Sequence, residues 1–292
     1  MPADIAFGIS AAARPDHARL GAELERLGYH ELWVNDTRRD DGVATLAPAA
    51  AATSALRFGL GVIALSEHAP AAIEQRISRA SLPLDRLTVG VGAGASTSLN
   101  LVRDGVAELR RLLPGVPVAV AAVGPRMLYL AGETADAVVA TWALPERVAE
   151  IRERVAEGAD AAGRPPPRLV LYLRTAIGED AGSRLHAEMD RYAGSAHYAR
   201  AFEAQSGRLV GIAVDRDGIG EALEPYRSLV DTLVIRGLPA DDGVDAWLEI
   251  ASVVAEASKF TPGERSAPET GPGASEFTRR VNQDPPEGSA SM

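Results

Sequence analysis

The chain has no cysteine among its 292 residues, which excludes disulfides, thiolate metal sites and cysteine nucleophiles. Several catalytic signatures are also missing. There is no HExxH, no paired His/carboxylate spacing, no Walker loop and no Gly-x-Ser-x-Gly elbow, so metal-hydrolase and serine-hydrolase readings have no support and no metal is expected. No window has the apolar length needed to span a bilayer. The opening residues MPADIAFGIS have no basic segment followed by an apolar core, so a secretory signal is not expected and a cytoplasmic location is. Positive charge is in deficit. The formal net charge is −10 with no Lys/Arg stripe, which disfavours nucleic acid and anionic membranes as partners.

What is present is a regular alternation of strand and helix. Eight apolar runs read as strands: Ile5–Ile9, Glu31–Asn35, Arg57–Leu65, Leu87–Gly92, Val118–Ala122, Ala137–Thr141, Leu169–Ala176 and Thr232–Arg236. Most are continuous Val/Ile/Leu/Ala runs, as expected for parallel strands covered by helices. Amphipathic helices lie between them, with stripes such as Leu20, Leu24 and Leu27, or Val102, Val106, Leu109 and Leu113. Eight such units predict a closed (β/α)8 barrel rather than an open Rossmann sheet, in one domain over residues 1–258. Asp180–Gly207 is long for a single crossover and reads as two helices over the barrel rim. Residues 259–292 are rich in Pro, Gly, Ser and Glu, a composition that predicts a disordered tail. Phe277 beside Arg279 and Arg280 is either a docking peptide or plain tail.

The stretch PVAVAAVGPRMLYLAGETADAVVATWALPE, from Pro117 to Glu146, carries the most information. It reads as a buried strand, a Gly124-Pro125 turn opening a helix, and a second buried strand ending at Thr141-Trp142. Arg126 places a cation in the first helical turn, where free amides and the helix dipole favour an anion. A bound phosphate would make the arrangement favourable; a solvated arginine on a barrel rim is the alternative. The matching residues Ala121, Ala122, Gly124, Pro125, Arg126, Leu130, Ala131, Gly132, Glu133, Ala135 and Asp136, with Leu24–Thr37, Leu46–Leu65 and Val89–Gly94 upstream in order, resemble the luciferase-like superfamily of TIM-barrel oxidoreductases. The branch is the one that uses the deazaflavin coenzyme F420.

The resemblance implies a (β/α)8 TIM barrel in which the active site forms at the carboxyl ends of the strands. It implies hydride transfer between F420 and a small organic substrate, with FMN-dependent monooxygenation or a degenerate, non-catalytic barrel as alternatives. Asp36, Thr37 and His68 are the catalytic candidates; Asp36 corresponds to a cofactor-contacting position or is a turn carboxylate, and Thr37, which could position a substrate, stands where relatives often carry a catalytic His. A hydroxyl cannot exchange a proton near neutral pH as an imidazole can. His68 is the best placed of the five histidines for the mouth, with Glu67 beside it to tune its pKa or simply face solvent. Gly61-Val62 aligns with the family's non-prolyl cis peptide behind the ring. The cofactor site is then expected to comprise Asp36, Gly61, Val62, Gly92, Ala93, Gly94, Ala122, Val123, Gly124, Pro125, Arg126 and Trp142. Trp142 would lie against the heterocycle or else be a buried packing residue, and Arg126 is the keystone for an anionic tail. Arg174 and Arg236 would bind an anionic substrate or tail if they face the mouth. Ala95 and Ser96 stand where relatives often place a proton-donating Glu, and the loop from Ala95 to Val116 is short, implying shortened loops over the pocket. A homodimer is expected, with the Ala-rich helix around Leu46–Ser54 as a close-packing face.

Overall fold

The computed structural model describes residues 3–13, 16–241 and 243–258; the expected tail lies outside them. The elements follow in the order β1 (Asp4–Ser10), α1 (His17–Arg26), β2 (Glu31–Asn35), α2 (Gly42–Ala52), β3 (Arg57–Ala64), α3 (Pro70–Arg79), β4 (Leu87–Gly92), α4 (Leu99–Leu112), β5 (Val118–Ala121) and α5 (Pro125–Thr134). Then come β6 (Ala137–Thr141), α6 (Pro145–Ala161), β7 (Arg168–Ile177), α7 (Ala181–Ala193), α8 (Ala196–Glu203), β8 (Ile212–Val214), α9 (Ile219–Arg227), β9 (Thr232–Gly237) and α10 (Val244–Ser258).

Eight of the strands close into a parallel barrel. The ladder runs from β1 through β7 in sequence, β9 pairs with both β7 and β1, and the ring is complete. The short β8 is an addition the apolar pattern did not signal. Thr175 of β7 pairs with Gly237 on one side and Ile212 on the other, so β8 occupies the edge of β7 left free where β6 ends. The crossover from Asp180 onward does form two helices, α7 and α8.

Side-chain alternation divides the core into two layers. Outward-facing residues such as Leu32, Val34, Leu60 and Leu171 meet the helices in one continuous cluster. Each fully buried side chain of this size contributes about 1.5–3 kcal/mol. The inward layer is small: Trp33 and Tyr172 meet edge to face at 6.0 Å, among Ala6, Ala119, Ala137 and Val234. Trp33 dictates a glycine on the neighbouring strand, because a Cβ at Gly59 would sit 2.1 Å from the indole. Beneath it Glu31, 4% exposed, accepts from Trp33 Nε1 at 2.5 Å and pairs with Arg168 at 2.6 Å. The amino end of the barrel is therefore plugged by a satisfied ion pair and two rings. The carboxyl end is where the interior opens.

Candidate active site

A cavity of about 540 Å³ opens at the carboxyl ends of β2 to β7, within the size range of small-molecule sites. Two unlike walls enclose it. One is made of Gly61, Val62 and the backbone of Gly92–Gly94 and Ala121–Gly124. The other carries Thr141, Tyr172 and Arg174, with Tyr192 and Tyr198 from α7 and α8 above.

The first wall is shaped by what β3 and β4 lack. The Gly61-Val62 peptide is cis, and the β3–β4 register shifts between Leu60 and Ile63. A Cβ on Gly61 would fall 2.0 Å from the Tyr172 hydroxyl, and one on Gly92 would lie 3.2 Å from Val62 and narrow the cavity. Gly94 has φ +64° and a Cβ there would meet Ser66 Oγ at 2.3 Å, so only glycine fits the turn. Asn35 fixes this wall from β2, donating from Nδ2 to the Gly61 carbonyl, while its buried Oδ1 has no partner. At the rim, α5 begins with Pro125 and has no side-chain cap, so first-turn amides are left for solvent or a ligand.

The second wall holds the charge. Arg174 is 4% exposed, donates from Nη1 to Thr141 Oγ1, and leaves Nε buried without a partner among the described residues. Its guanidinium lies 4.3 Å from the Trp142 ring centroid and 5.0 Å from that of Tyr192. The Tyr172 hydroxyl is also buried, with no partner among the described residues, and burial pushes its pKa well up from the ordinary phenol value. That group stays protonated and serves as a hydrogen-bond donor, not a base. Among the described residues lining the cavity there is no carboxylate and no imidazole.

Of the residues singled out from sequence, Gly61, Val62, Gly92, Ala93, Gly94, Ala122, Val123 and Gly124 line the cavity. Asp36, Thr37, His68, Pro125, Arg126 and Trp142 do not. Asp36 follows the inward Asn35 and so points outward, where it accepts from Gly42 N–H at 2.7 Å and pairs with Arg76 at 2.7 Å. Thr37 closes its own turn, its exposed hydroxyl bonding to the Arg39 and Asp40 amides. His68 sits 3.8 Å from the Asp36 carboxylate, and Glu67 pairs with Arg38 rather than facing it. The Pro125 carbonyl is turned to Arg154 on α6. Arg126 shares a helical face with Tyr129, Leu130 and Glu133, spacings that put it in an outer groove with Arg103 and Arg154. The expected guanidinium clamp is not formed; Met127, one residue on, lines the cavity instead. Trp142, 2% exposed, packs edge-on to Tyr192 and Phe202, with Arg174 against its face where a heterocycle was expected.

Comparison with known proteins agrees with this architecture. The luciferase-like monooxygenase family model matches residues 6–100 and 100–237. The chain belongs to that family. A curated relative from Methanolobus tindarius, named 5,10-methylenetetrahydromethanopterin reductase, is 25% identical over 195 residues, covering 54% of this chain and 60% of the relative. The chain thus spans under two thirds of that relative's length. Among solved structures, an F420-dependent secondary alcohol dehydrogenase bound to an F420-acetone adduct superimposes with TM-score 0.69 at 17% identity, covering 88% of this chain and 99% of the other. The coenzyme F420-dependent tetrahydromethanopterin reductase of Methanopyrus kandleri gives 0.68 at 16%, covering 89% and 100%. The FMN-bound oxygenating constituent of 3,6-diketocamphane monooxygenase from Pseudomonas putida gives 0.63 at 14%, covering 89% and 99%. These likenesses establish the barrel.

Besides Met127, four residues of this luciferase-like protein escaped the sequence reading. Asn35 was discoverable, since period-two alternation from Trp33 places it inward. Tyr192 and Tyr198 fall in the two rim helices but carry no spacing that marks them. Gln205, 5% exposed, donates to the Trp142 carbonyl and accepts from Leu144 N–H, and so holds the turn after β6. No local signal announces it, because its partners lie some sixty residues away in the chain.

Proposed function

We propose that this luciferase-like protein is an oxidoreductase that binds coenzyme F420 in the 540 Å³ cavity and moves a hydride to or from a small organic substrate. The observation that carries the reading is the wall of glycines and alanines across β3, β4 and β5, where side chains are withheld and backbone is presented. The residues present fit a flat ring with an anionic tail. Gly61, Val62, Gly92 and Ala121 would take the ring, and the uncapped amides at the start of α5 would take the tail, without help from Arg126. The reductase name of the curated relative and the F420-dependent dehydrogenase among structural neighbours support the deazaflavin.

Bound there, the deazaflavin would supply the hydride acceptor or donor. The chain's own contribution is positional. Asn35 fixes the Gly61 carbonyl, α7 and α8 keep water from one side of the cavity, and Tyr172 offers an O–H at its floor. Asp36, tied to Arg76 and the Gly42 amide, is proposed as architecture and not as a proton-transfer group. A homodimer through the exposed Pro48, Ala51 and Ala52 of α2 is part of the proposal, since the buried Ala49 is already used by Gly21 of α1. Light scattering of the purified protein checks it.

Titrating the full chain separately with F420 and FMN, while following cofactor absorbance and tryptophan fluorescence, tests the assignment. Saturable F420 binding at least about tenfold tighter than FMN is expected, a difference of about 1.4 kcal/mol. Tighter FMN binding moves the protein to the monooxygenase reading, and binding of neither sinks the cofactor assignment. The absence of carboxylate and imidazole from the described cavity lining favours a second reading, a binding barrel without catalysis. It gives F420 binding with no turnover across alcohols, aldehydes, enones and their carboxylate-bearing analogues.

A further inference from the structure

The cavity contains a buried cation with no counter-ion among the described residues. Arg174 is 96% inaccessible, and among the described residues no carboxylate lies within ion-pair distance of it. Arg236 is its ladder partner on β9, so the two guanidinium groups project side by side from the same inner face. Arg236 is committed to the Gly237 carbonyl and Ser10 Oγ and faces a second cavity of about 970 Å³ on the β1–β9 side. Burial, and then the charge of Arg174, push the Arg236 guanidinium down from its ordinary value. Two carboxylates, Asp40 and Glu188, line that second cavity; Glu188 is the one whose charge acts on Arg236, and it is bonded to Arg191 at 2.8 Å.

Two like charges held together out of water are costly unless an anion joins them. Local structure explains why Arg174 cannot swing away. Trp142 and Tyr192 hold the guanidinium by its faces, and Thr141 accepts from Nη1. What remains unmet is Nε, and beside it on the same strand face the Tyr172 hydroxyl. A planar guanidinium edge with a neighbouring O–H matches a carboxylate, which accepts two parallel N–H bonds and a third from a hydroxyl.

We propose that Arg174 and Tyr172 form an oxyanion subsite that receives a carboxylate carried by the substrate, with Arg236 adding field from the adjoining cavity. The proposal rests on the oxidoreductase reading for the word substrate; the subsite itself stands on the geometry of β7 and β9. It narrows the substrate class to small organic acids rather than neutral alcohols or ketones.

Calorimetric titration of the full-length protein with benzoate and with its neutral isostere benzamide, before and after saturation with F420, tests it. Expected is benzoate binding at least tenfold tighter than benzamide in both states, lost at least tenfold in Arg174→Gln and partly restored in Arg174→Lys, with F420 affinity unchanged. Equal or absent binding of the two probes to the unsubstituted protein overturns the proposal, and does so even if Arg174→Gln fails to fold. Benzoate displacing F420, or Arg174→Gln weakening F420 by the same factor, also overturns it, because the anion received would then be the cofactor's. If F420 does not bind but benzoate discrimination persists, the subsite stands and the cofactor assignment alone is lost.

Discussion

On the β3–β5 side of the cavity the chain withholds side chains, and on the β6–β9 side it concentrates them. The first wall consists mainly of glycine, alanine and backbone, with Val62 and Val123 as its larger strand-end side chains and Met127 of α5 beside them. The second wall places Tyr172, Arg174 and, in the next cavity, Arg236 on two adjacent strands. A surface of the first kind is suited to a flat group that needs close approach. A surface of the second kind is suited to a charged group that needs a partner. The contrast implies two ligands, or two parts of one, meeting between the walls.

The sharpest way to break this comparison begins outside it. If Asp36 belongs to the scaffold behind the first wall, then Arg76→Ala strands a carboxylate whose side chain is 7% exposed, at an expected cost of about 3 kcal/mol. Urea denaturation measures it; a change under about 1 kcal/mol would mean Asp36 is solvated and free for other work. The same variant carries a pH signature. Burial pushes Asp41 up, but bonds from Arg76 and the Val43 and Ala44 amides outweigh it, so the carboxyl lies below the ordinary aspartate value of 3.8. A depressed folded pKa means this contribution is present above pH 3.8 and is lost as pH falls below it. Arg76→Ala should therefore flatten the acid limb of the stability profile.

Next in size is a substitution that pushes one wall into the other. Gly61→Ala places a methyl 2.0 Å from the Tyr172 hydroxyl, and overpacking of this kind costs about 2 kcal/mol. Removing the obstacle should recover part of the loss, so the Gly61→Ala/Tyr172→Phe double variant is expected to show favourable coupling of about 1 kcal/mol. Additive losses would mean the two residues do not meet. A milder intrusion, Gly92→Val, puts its Cβ 3.2 Å from Val62 and branches into the cavity. It should leave the melting temperature within about 4 °C, under about 1 kcal/mol for a chain this size, while lowering F420 affinity at least about tenfold. Unchanged affinity would place the cofactor elsewhere.

The two walls also differed in how far they could be read from the sequence. The barrel was legible because continuous apolar strands admit few architectures, and the first wall was legible because glycine at a strand end has few other uses. The failures share one cause. Asp36 was chosen where Asn35 faces inward, Arg126 where Met127 lines the cavity, and Trp142 where Thr141 does. Each differs by one residue in phase: at the ends of β2 and β6 one residue turns a strand side chain to the opposite face, whereas on α5 it rotates the side chain by about 100° around the helix. Trp142 adds a left-handed φ of 54° that no pattern announces. Arg174 and Arg236 were noticed, but their adjacency depends on β7 pairing with β9 across the intervening β8, a closure that only the folded ring supplies.

The smallest expected effect is the most discriminating between walls. Tyr172→Phe removes a buried hydroxyl that has no partner among the described residues, so stability should stay level or rise by no more than about 0.5 kcal/mol, because an unsatisfied polar atom is deleted along with nothing it was bonded to. Its ring stays wedged against Trp33, which keeps the barrel interior filled. If the hydroxyl exists for a ligand, the same variant should weaken benzoate by several-fold while leaving benzamide where it was. A residue kept only for packing would lose neither. A stability loss above about 1 kcal/mol would instead reveal a hydrogen bond inside the protein, and the second wall would then be structural at its floor.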